Sequence, residues 1–234
     1  NHLAKEIIME NGDIFTADQI ISTCGFVETE ELLNSSKTNP VESEGGKFSV
    51  IENISVFKGI PSDFGWDETI VFFNDSEKFR YEEPKENIDL QSGVICLPEN
   101  YQDPQNKDKE EARLRITNPA NFSKWSSLKE EKYIEEKKNC ETRMLDKALS
   151  YLPNGRQQKD SLLNATIMTD TFTPRTIRKY TNHNNGALYG SPRKSRTGST
   201  NLKNLFLAGT DQGYIGIVGA MLGGIAVANN RILR

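Results

Sequence analysis

Short apolar runs separated by turn residues dominate the first hundred positions of the chain and predict β-strands. Two of them flank Asn11-Gly12, a dipeptide typical of tight hairpins because both residues tolerate a positive φ. The segment 19–23 contains a short apolar run of the kind that forms a buried parallel strand. Further strands are predicted at 48–56, 69–73 and 93–97, and their spacing favours an antiparallel sheet.

Helical spacing of apolar residues appears in the second half of the chain. One long helix is predicted over 123–152, with a capping box at Ser127 and Glu130 and a stop at Pro153-Asn154-Gly155. Its predicted apolar face consists of Ile134, Leu145, Ala148, Leu149 and Leu152. A brief helix is predicted at 29–33, a polar crossing at 34–46 and a solvated, charged loop containing Asp103-Pro104 at 100–113.

The last thirty residues combine a predicted buried strand (204–208), a glycine-rich turn and a helix (219–233). Glycines let the backbone approach a ligand closely, and the amides at the start of a helix favour an electron-rich group. Two alternatives to a ligand site stay open: the glycines could serve only tight helix packing, or Gly219-x-x-x-Gly223 could be a membrane dimerisation face. The apolar run is short for a membrane span, which needs about 20 residues.

Composition narrows the function classes. The chain has 234 residues, 35% hydrophobic and 26% charged, with a formal net charge of -4. These values argue against a chain dominated by membrane spans, against wholesale disorder, and against a nucleic-acid partner bound by broad phosphate neutralisation. The basic loop Arg193-Lys194-Ser195-Arg196 is either solvated or in contact with cofactor phosphates or anionic lipid, so peripheral membrane contact is possible.

The cysteines and histidines indicate a reduced, cytoplasmic chain without a metal site. There are three widely spaced cysteines, no Cys-x-x-Cys pair and two histidines. Cys24 follows the predicted strand 19–23 and is expected to be a buried, inert thiol.

Several segments together resemble a known family. Residues 204–233, from Asn204-Leu-Phe-Leu-Ala-Gly-Thr-Asp to Asn-Arg-Ile-Leu233, are similar to the C-terminal flavin-binding signature of the phytoene desaturase family, which includes carotenoid isomerases and retinol saturases. The block from Thr173-Pro174 to Tyr189-Gly190 also resembles that family. Weaker similarities are carried by Trp125, Tyr133, Lys137 and Pro153, and by the strand pair before Ser22.

The resemblance implies FAD as cofactor and hydride transfer at flavin N5 on a long apolar polyene, carotenoid- or retinoid-like, or an isomerase variant of that chemistry. It implies that Gly209, Thr210 and Asp211 line the cofactor, with Asp211 at the ribityl or pyrophosphate part. Backbone amides of Gly216, Ile217 and Val218 would face the pyrimidine edge of the flavin. No catalytic residue is carried over.

The resulting expectation is an α/β protein in which an α+β substrate domain (35–187) separates two parts of a Rossmann-like FAD-binding domain (1–34 and 188–234). The family's Gly-x-Gly-x-x-Gly loop for the ADP half of FAD has no counterpart in this sequence. We therefore expect a missing N-terminal half of the same protein, and we expect the chain alone to be inactive and to bind FAD poorly. The alternative is a non-enzymatic interaction or lipid-associated module whose glycine-rich helix packs on a partner.

Overall fold

The computed structural model describes residues 3–33, 45–101 and 110–233, which mix helices with strands in the manner of the general α/β class. Two compact units divide the chain. The sheet unit is Lys47–Thr181, and the split unit combines Asn1–Gly46 with Asn182–Arg234. The units thus divide after residues 46 and 181, whereas the sequence-based division lies after 34 and 187. Most of the predicted crossing at 34–46 and the Asp103-Pro104 step lie outside the described residues.

The sheet unit is built on a five-stranded antiparallel sheet. Its strands are β4 (Ser49–Lys58), β5 (Ile70–Asn74), β6 (Ser92–Cys96), β7 (Glu111–Ala120) and β8 (Thr166–Phe172). They lie side by side in the order β5-β6-β7-β4-β8. The three strands predicted in this region and their antiparallel pairing are confirmed.

Two strands of this sheet were not predicted. Residues 111–113, assigned to a charged loop, begin β7, so that part of the loop prediction is wrong. The reason is visible in β7 itself, where buried Ala112, Leu114 and Ile116 alternate with polar residues in the period of a strand. Strand β8 is rich in threonine and mostly exposed, so it lacks a strong apolar signal.

The main apolar core lies entirely within the sheet unit. Its largest fully buried side chains include Trp66 and Trp125. The helices of the unit are α2 (Phe122–Ser127), α3 (Glu130–Leu149), α4 (Lys159–Ala165) and α5 (Pro174–Thr181). Helix α3 packs against β7, and α4 packs against β4.

The long helix predicted over 123–152 is two helices. Leu128 and Lys129 are extended and separate α2 from α3. The predicted capping box is wrong, because the Ser127 hydroxyl donates to the Lys124 carbonyl at the end of α2. Ile134 is 49% exposed, and the buried face of α3 is formed by Cys140, Met144, Ala148 and Leu149.

The split unit contains the predicted hairpin, and the strand predicted at 19–23 is paired parallel, as predicted. Strands β1 (Ile7–Ile8) and β2 (Ile14–Phe15) pair antiparallel around Gly12. Strand β3 (Ile20–Ser22) pairs parallel with β9 (Leu205–Leu207). Strand β9 is buried as predicted, but β3 is not, since Ile21 is 45% exposed.

Two helices complete the split unit. Helix α1 (Phe26–Leu33) follows β3, and α6 (Gly216–Val227) follows the glycine-rich turn and continues as a π-helical turn, Ala228–Ile232. Helix α6 therefore begins three residues before the predicted start at 219. Across the described ranges, we find no helix with the length and apolar character that crossing a bilayer requires.

Candidate functional site

The candidate site lies in the split unit, where the chain passes from β9 into α6. Gly209 follows the strand with φ 118° and ψ -154°, a backbone conformation essentially restricted to glycine. Thr210–Gln212 then forms a short 3₁₀ turn. Gly216 begins α6 with φ 80°, and a Cβ added at Gly209 or Gly216 would meet nothing within 4 Å. Backbone conformation, rather than crowding, requires glycine at both positions.

The first turn of α6 presents uncapped backbone. Ile215 precedes the helix without a side-chain capping hydrogen bond. Ile217 and Val218 are 83% and 70% exposed. Because the first amides of a helix have no intrahelical acceptor and carry the positive end of the helix dipole, the backbone at 216–218 can donate to an electron-rich group.

Asp211 is buried, and the protein itself engages both oxygens of its carboxylate. Oδ2 accepts from the backbone N–H of Phe26 at 2.6 Å. Oδ1 accepts from the Ser191 N–H at 2.8 Å and from Lys194 Nζ at 3.0 Å. The side chain thus caps the first residue of α1 and holds the 190–194 loop. This gives Asp211 a structural role, while its predicted contact with a cofactor remains a prediction.

Two glycines make room for this carboxylate. A Cβ on Gly190 would lie 2.3 Å from Asp211 Oδ1, and one on Gly25 would lie 3.4 Å from Oδ2 and 2.4 Å from a carboxylate oxygen of Glu28. Both glycines also have positive φ angles. The sequence carries no signal for Gly25, because its contact with Asp211 joins positions far apart in the chain.

The basic loop is only partly a solvated loop. Lys194 pairs with Asp211 and also donates to the carbonyl oxygen of Tyr189 at 2.5 Å. The Arg193 guanidinium lies over the ring of Phe26, 5.1 Å from its centroid. Both basic residues line a polar cleft of about 330 Å³ together with Glu30.

A second group of glycines serves packing. A Cβ on Gly223 would lie 2.2 Å from Oε1 of the fully buried Gln212, and one on Gly219 would lie 2.5 Å from the backbone of Tyr214. Gln212 Oε1 accepts from the Gly209 N–H at 3.2 Å, whereas its Nε2 has no hydrogen-bond partner in the described part of the chain. Close packing therefore explains Gly219 and Gly223, but it does not explain Gly209 and Gly216.

The side of α6 opposite these glycines is apolar and exposed. We call this surface the α6 apolar face; its residues are between 52% and 83% exposed and comprise Ile217, Val218, Met221, Leu222 and Ile225. Tyr214 and Ile215, just before the helix, are also exposed.

In the sheet unit, residues that carry the family resemblance gather in one packed cluster. Trp125 and Tyr133 meet edge to face, with ring centroids 5.8 Å apart. Tyr133 Oη lies 3.0 Å from Thr173 Oγ1, and the Arg175 guanidinium lies over the Tyr133 ring at 4.1 Å. Pro174 is the first residue of α5, a helix position that proline favours. These contacts join α2, α3 and α5.

The sheet unit also contains a charged cluster that was not among the sequence predictions. Asp75 accepts hydrogen bonds from Lys147 and Tyr151. The hydrogen bond from Lys147, followed by that from Tyr151, holds the pKa of Asp75 below its usual value of 3.8. The same hydrogen bond with Asp75 raises the pKa of Lys147. No spacing rule links position 75 to position 147, so the sequence carried no signal for this cluster.

The thiols differ in environment. Cys24 is exposed, so the prediction that it is buried is wrong; it lies in the turn between β3 and α1 rather than inside the strand. Burial, followed by the nearby Glu136 carboxylate, raises the pKa of Cys140 to about 12. Within ranges 3–33, 45–101 and 110–233, no group of three or more His, Cys, Asp or Glu side chains could hold a metal ion.

No protein-family model matches the sequence, and the search of curated proteins finds no match. The family resemblance therefore rests on the motifs named above.

Proposed function

We propose that this chain is part of an FAD-dependent oxidoreductase that resembles the phytoene desaturase family. The observation that carries the proposal is the passage from β9 into α6, where Gly209 and Gly216 have positive φ angles and open space in front of them. At the carboxyl end of a parallel strand, this arrangement leaves the first amides of α6 uncapped.

The residues of the turn fit a flavin in specific ways. Bound FAD would supply a hydride acceptor at N5 of its ring system. The backbone amides at 216–218 would stabilise negative charge at the pyrimidine edge of the flavin, because uncapped helix amides are already oriented. Gly209 and Thr210 would line the cofactor, and Asp211 would support them by fixing the turn to α1 and to Lys194.

The rest of the proposal concerns the whole protein. The substrate would be a long apolar polyene, carotenoid- or retinoid-like, and the sheet unit would belong to the substrate domain. The ADP half of FAD would be held by polypeptide outside these 234 residues. The protein would act in the cytoplasm, with possible peripheral contact to a membrane.

A matched pair of glycine variants tests the flavin site. In the intact protein of which these 234 residues are a part, purified under native conditions, Gly216→Val should abolish flavin retention, because a side chain at φ 80° forces the backbone away from its position. Gly224→Val is the control, since Gly224 lies in the same helix with nothing within 4 Å of an added Cβ and without a positive φ. Released flavin would be quantified by absorbance. Absence of flavin from the native wild-type protein, or full flavin content in Gly216→Val, would contradict the proposal.

The α6 apolar face favours a second candidate, an interaction or lipid-associated module without enzymatic activity. In that case, association with a partner or with vesicles would be independent of FAD. Size-exclusion chromatography and crosslinking with and without FAD separate the two candidates.

A further inference from the structure

The basic loop at 193–196 begins a longer segment that combines positive charge with hydroxyl groups. Residues 193–203 contain four basic side chains, four hydroxyl side chains and no carboxylate, although the chain as a whole has a formal net charge of -4. Basic residues before a serine or threonine form a charge pattern by which protein kinases select their substrates. Which of the four hydroxyls a kinase could reach depends on how the structure holds each of them.

Thr197 is an exposed residue in a turn of this segment. It lies outside helices and strands, and Lys194 and Arg196 occupy the third and the first position before it. Exposed turns with polar residues are the parts of a folded protein that open most readily to another enzyme. Thr197 therefore combines the two requirements of a phosphate acceptor, which are basic residues before it and an accessible backbone.

The other three hydroxyl residues are held more firmly. The Ser195 N–H donates to the Asp211 carbonyl at 2.8 Å, and the Ser195 hydroxyl donates to the Ser199 carbonyl at 3.0 Å. Ser199 itself forms an isolated antiparallel bridge with β9. The Thr200 hydroxyl donates to a carbonyl oxygen of β9 at 2.8 Å. Moving any of these three residues into a kinase would break contacts within the split unit, so the structure favours Thr197.

The Thr197 hydroxyl lies beside a guanidinium whose position is fixed. Thr197 Oγ1 donates to Ser199 Oγ at 3.1 Å, and Arg231 Nη2 donates to the same oxygen at 3.0 Å. The Arg231 guanidinium also lies over the ring of Phe206, 5.7 Å from its centroid. The Ser199 N–H donates to Thr197 Oγ1 at 3.3 Å. A phosphoryl group on Oγ1 would thus have a backbone N–H, a hydroxyl and a guanidinium around it, which are the donors that bind phosphate in proteins.

We propose that Thr197 is phosphorylated by a protein kinase that selects basic residues before its acceptor, and that Arg231 binds the resulting phosphate. In this step, Thr197 Oγ1 forms a bond to the γ-phosphorus of ATP held by the kinase, and the bond from that phosphorus to ADP breaks. The hydroxyl proton passes to the catalytic aspartate of the kinase.

The modification would tie two parts of the split unit together. The phosphate carries a charge of about -1.5 to -2 at neutral pH, and a guanidinium can bind it through two parallel hydrogen bonds. Because Arg231 lies in the π-helical turn that continues α6, the pair would join the end of this helix to the turn at 196–199. The inference uses no contact with a cofactor, and it holds whether or not the protein binds flavin.

Thr181 provides a matched control for the accessibility of Thr197. Arg178 and Lys179 occupy the third and the second position before Thr181, and its side chain is exposed. Thr181 is nevertheless the last residue of α5, and its hydroxyl donates to the Ile177 carbonyl at 2.9 Å. The two threonines therefore share a basic sequence context but differ in backbone structure.

Phosphorylation in vitro tests the acceptor. The intact protein, of which these 234 residues are a part, would be incubated with the cyclic-AMP-dependent protein kinase and Mg-ATP, and tandem mass spectrometry would map the phosphate. We expect at least tenfold more phosphate on Thr197 than on Thr181, whereas synthetic peptides covering 190–203 and 174–187 should react at rates within about threefold of each other. A 190–203 peptide that is not a substrate, equal phosphate on the two threonines, or phosphate on Ser195 or Ser199 instead of Thr197 would overturn the proposal.

Hydrogen exchange tests the role of Arg231. Phosphorylation of the wild-type protein should slow backbone exchange in 228–232 at least threefold, because the new pair holds this turn. Arg231→Gln should be phosphorylated at the wild-type rate, since Arg231 is far from Thr197 in sequence, but its exchange should not change. Lys203→Gln removes another basic side chain of the segment and should keep the slower exchange. Unchanged exchange in the phosphorylated wild type, or full slowing in Arg231→Gln, would overturn the assignment of Arg231.

Flavin content measured on the same samples separates this inference from the proposed function. A phosphorylated protein without flavin would contradict only the proposed function, and a flavoprotein that is not phosphorylated on Thr197 would contradict only this inference.

Discussion

At the scale of single residues, Asp211 joins parts of the split unit that are far apart in sequence. It hydrogen-bonds Phe26, 185 positions earlier, and Ser191, 20 positions earlier, and it pairs with Lys194. The sequence correctly marked the turn around Asp211 as unusual. It could not show these partners, because two of them are backbone amides, which every residue except proline carries.

Replacing the Asp211 carboxylate with a neutral amide tests its structural role. Asp211→Asn should lower the free energy of unfolding by about 3 kcal/mol, because it leaves Lys194 without a counter-charge in a largely buried site. Urea unfolding followed by circular dichroism measures the change. The control is Asp13→Asn in the exposed hairpin turn, which should change stability little. Equal stability of the two variants would argue against the internal role of Asp211.

The Asp75 cluster predicts a pH dependence of stability. A carboxyl group whose pKa is lowered on folding stabilises the protein above its unfolded pKa, and this stabilisation is lost as the pH falls through the folded value. Wild type should therefore be more stable than Asp75→Asn near neutral pH, and the difference should shrink once the pH falls below about 3.8. Denaturant unfolding of both proteins across this range measures it; a difference that grows in acid would contradict the assignment.

At the scale of elements, local pattern predicted the strands and helices whose signals lie within a few residues. The hairpin at Gly12 and the strand β9 followed from turn chemistry and apolar runs. The break between α2 and α3 could not be predicted, because Leu128 and Lys129 are both ordinary helix formers. The exposure of β3 also depends on what lies beside the strand, which its own residues do not encode.

Gly223 and Gly224 of α6 have different surroundings, so an alanine is expected to have opposite effects at the two positions. Gly223→Ala should destabilise the protein by about 1–3 kcal/mol, because the added methyl group would collide with the buried side chain of Gln212. Gly224→Ala should instead be neutral or stabilising by up to about 1 kcal/mol, since it gains helix propensity in open space. Thermal unfolding followed by circular dichroism distinguishes them, and equal effects would contradict the packing described for α6.

At the scale of the whole molecule, the two units differ in how much apolar surface they bury. The sheet unit contains the main core, whereas the split unit exposes the α6 apolar face and most of its hairpin. Both tryptophans, Trp66 and Trp125, are buried in the sheet unit. Tryptophan fluorescence therefore reports on one unit only.

This asymmetry predicts two separate unfolding transitions. Amides of the split unit should lose protection from hydrogen exchange at lower urea concentrations than those at which tryptophan fluorescence changes, because fewer buried contacts hold that unit together. Exchange measured by mass spectrometry at increasing urea, beside fluorescence of the same samples, tests this. Coincident transitions would indicate that the chain unfolds as a single cooperative unit.

The split unit is formed by two distant stretches of chain, and this delays its folding during synthesis on the ribosome. The side-chain amide of Asn204 holds the backbone of Ala4 across 200 positions of sequence: Oδ1 accepts from the Ala4 N–H, and Nδ2 donates to the Ala4 carbonyl. At the usual rate of synthesis, a ribosome needs roughly 10–40 s to make that stretch. The sheet unit emerges complete within that interval, whereas β3 and the apolar hairpin remain exposed until β9 has been synthesised. During that interval, a molecular chaperone that binds exposed apolar strands would bind β3 and the hairpin strands β1 and β2.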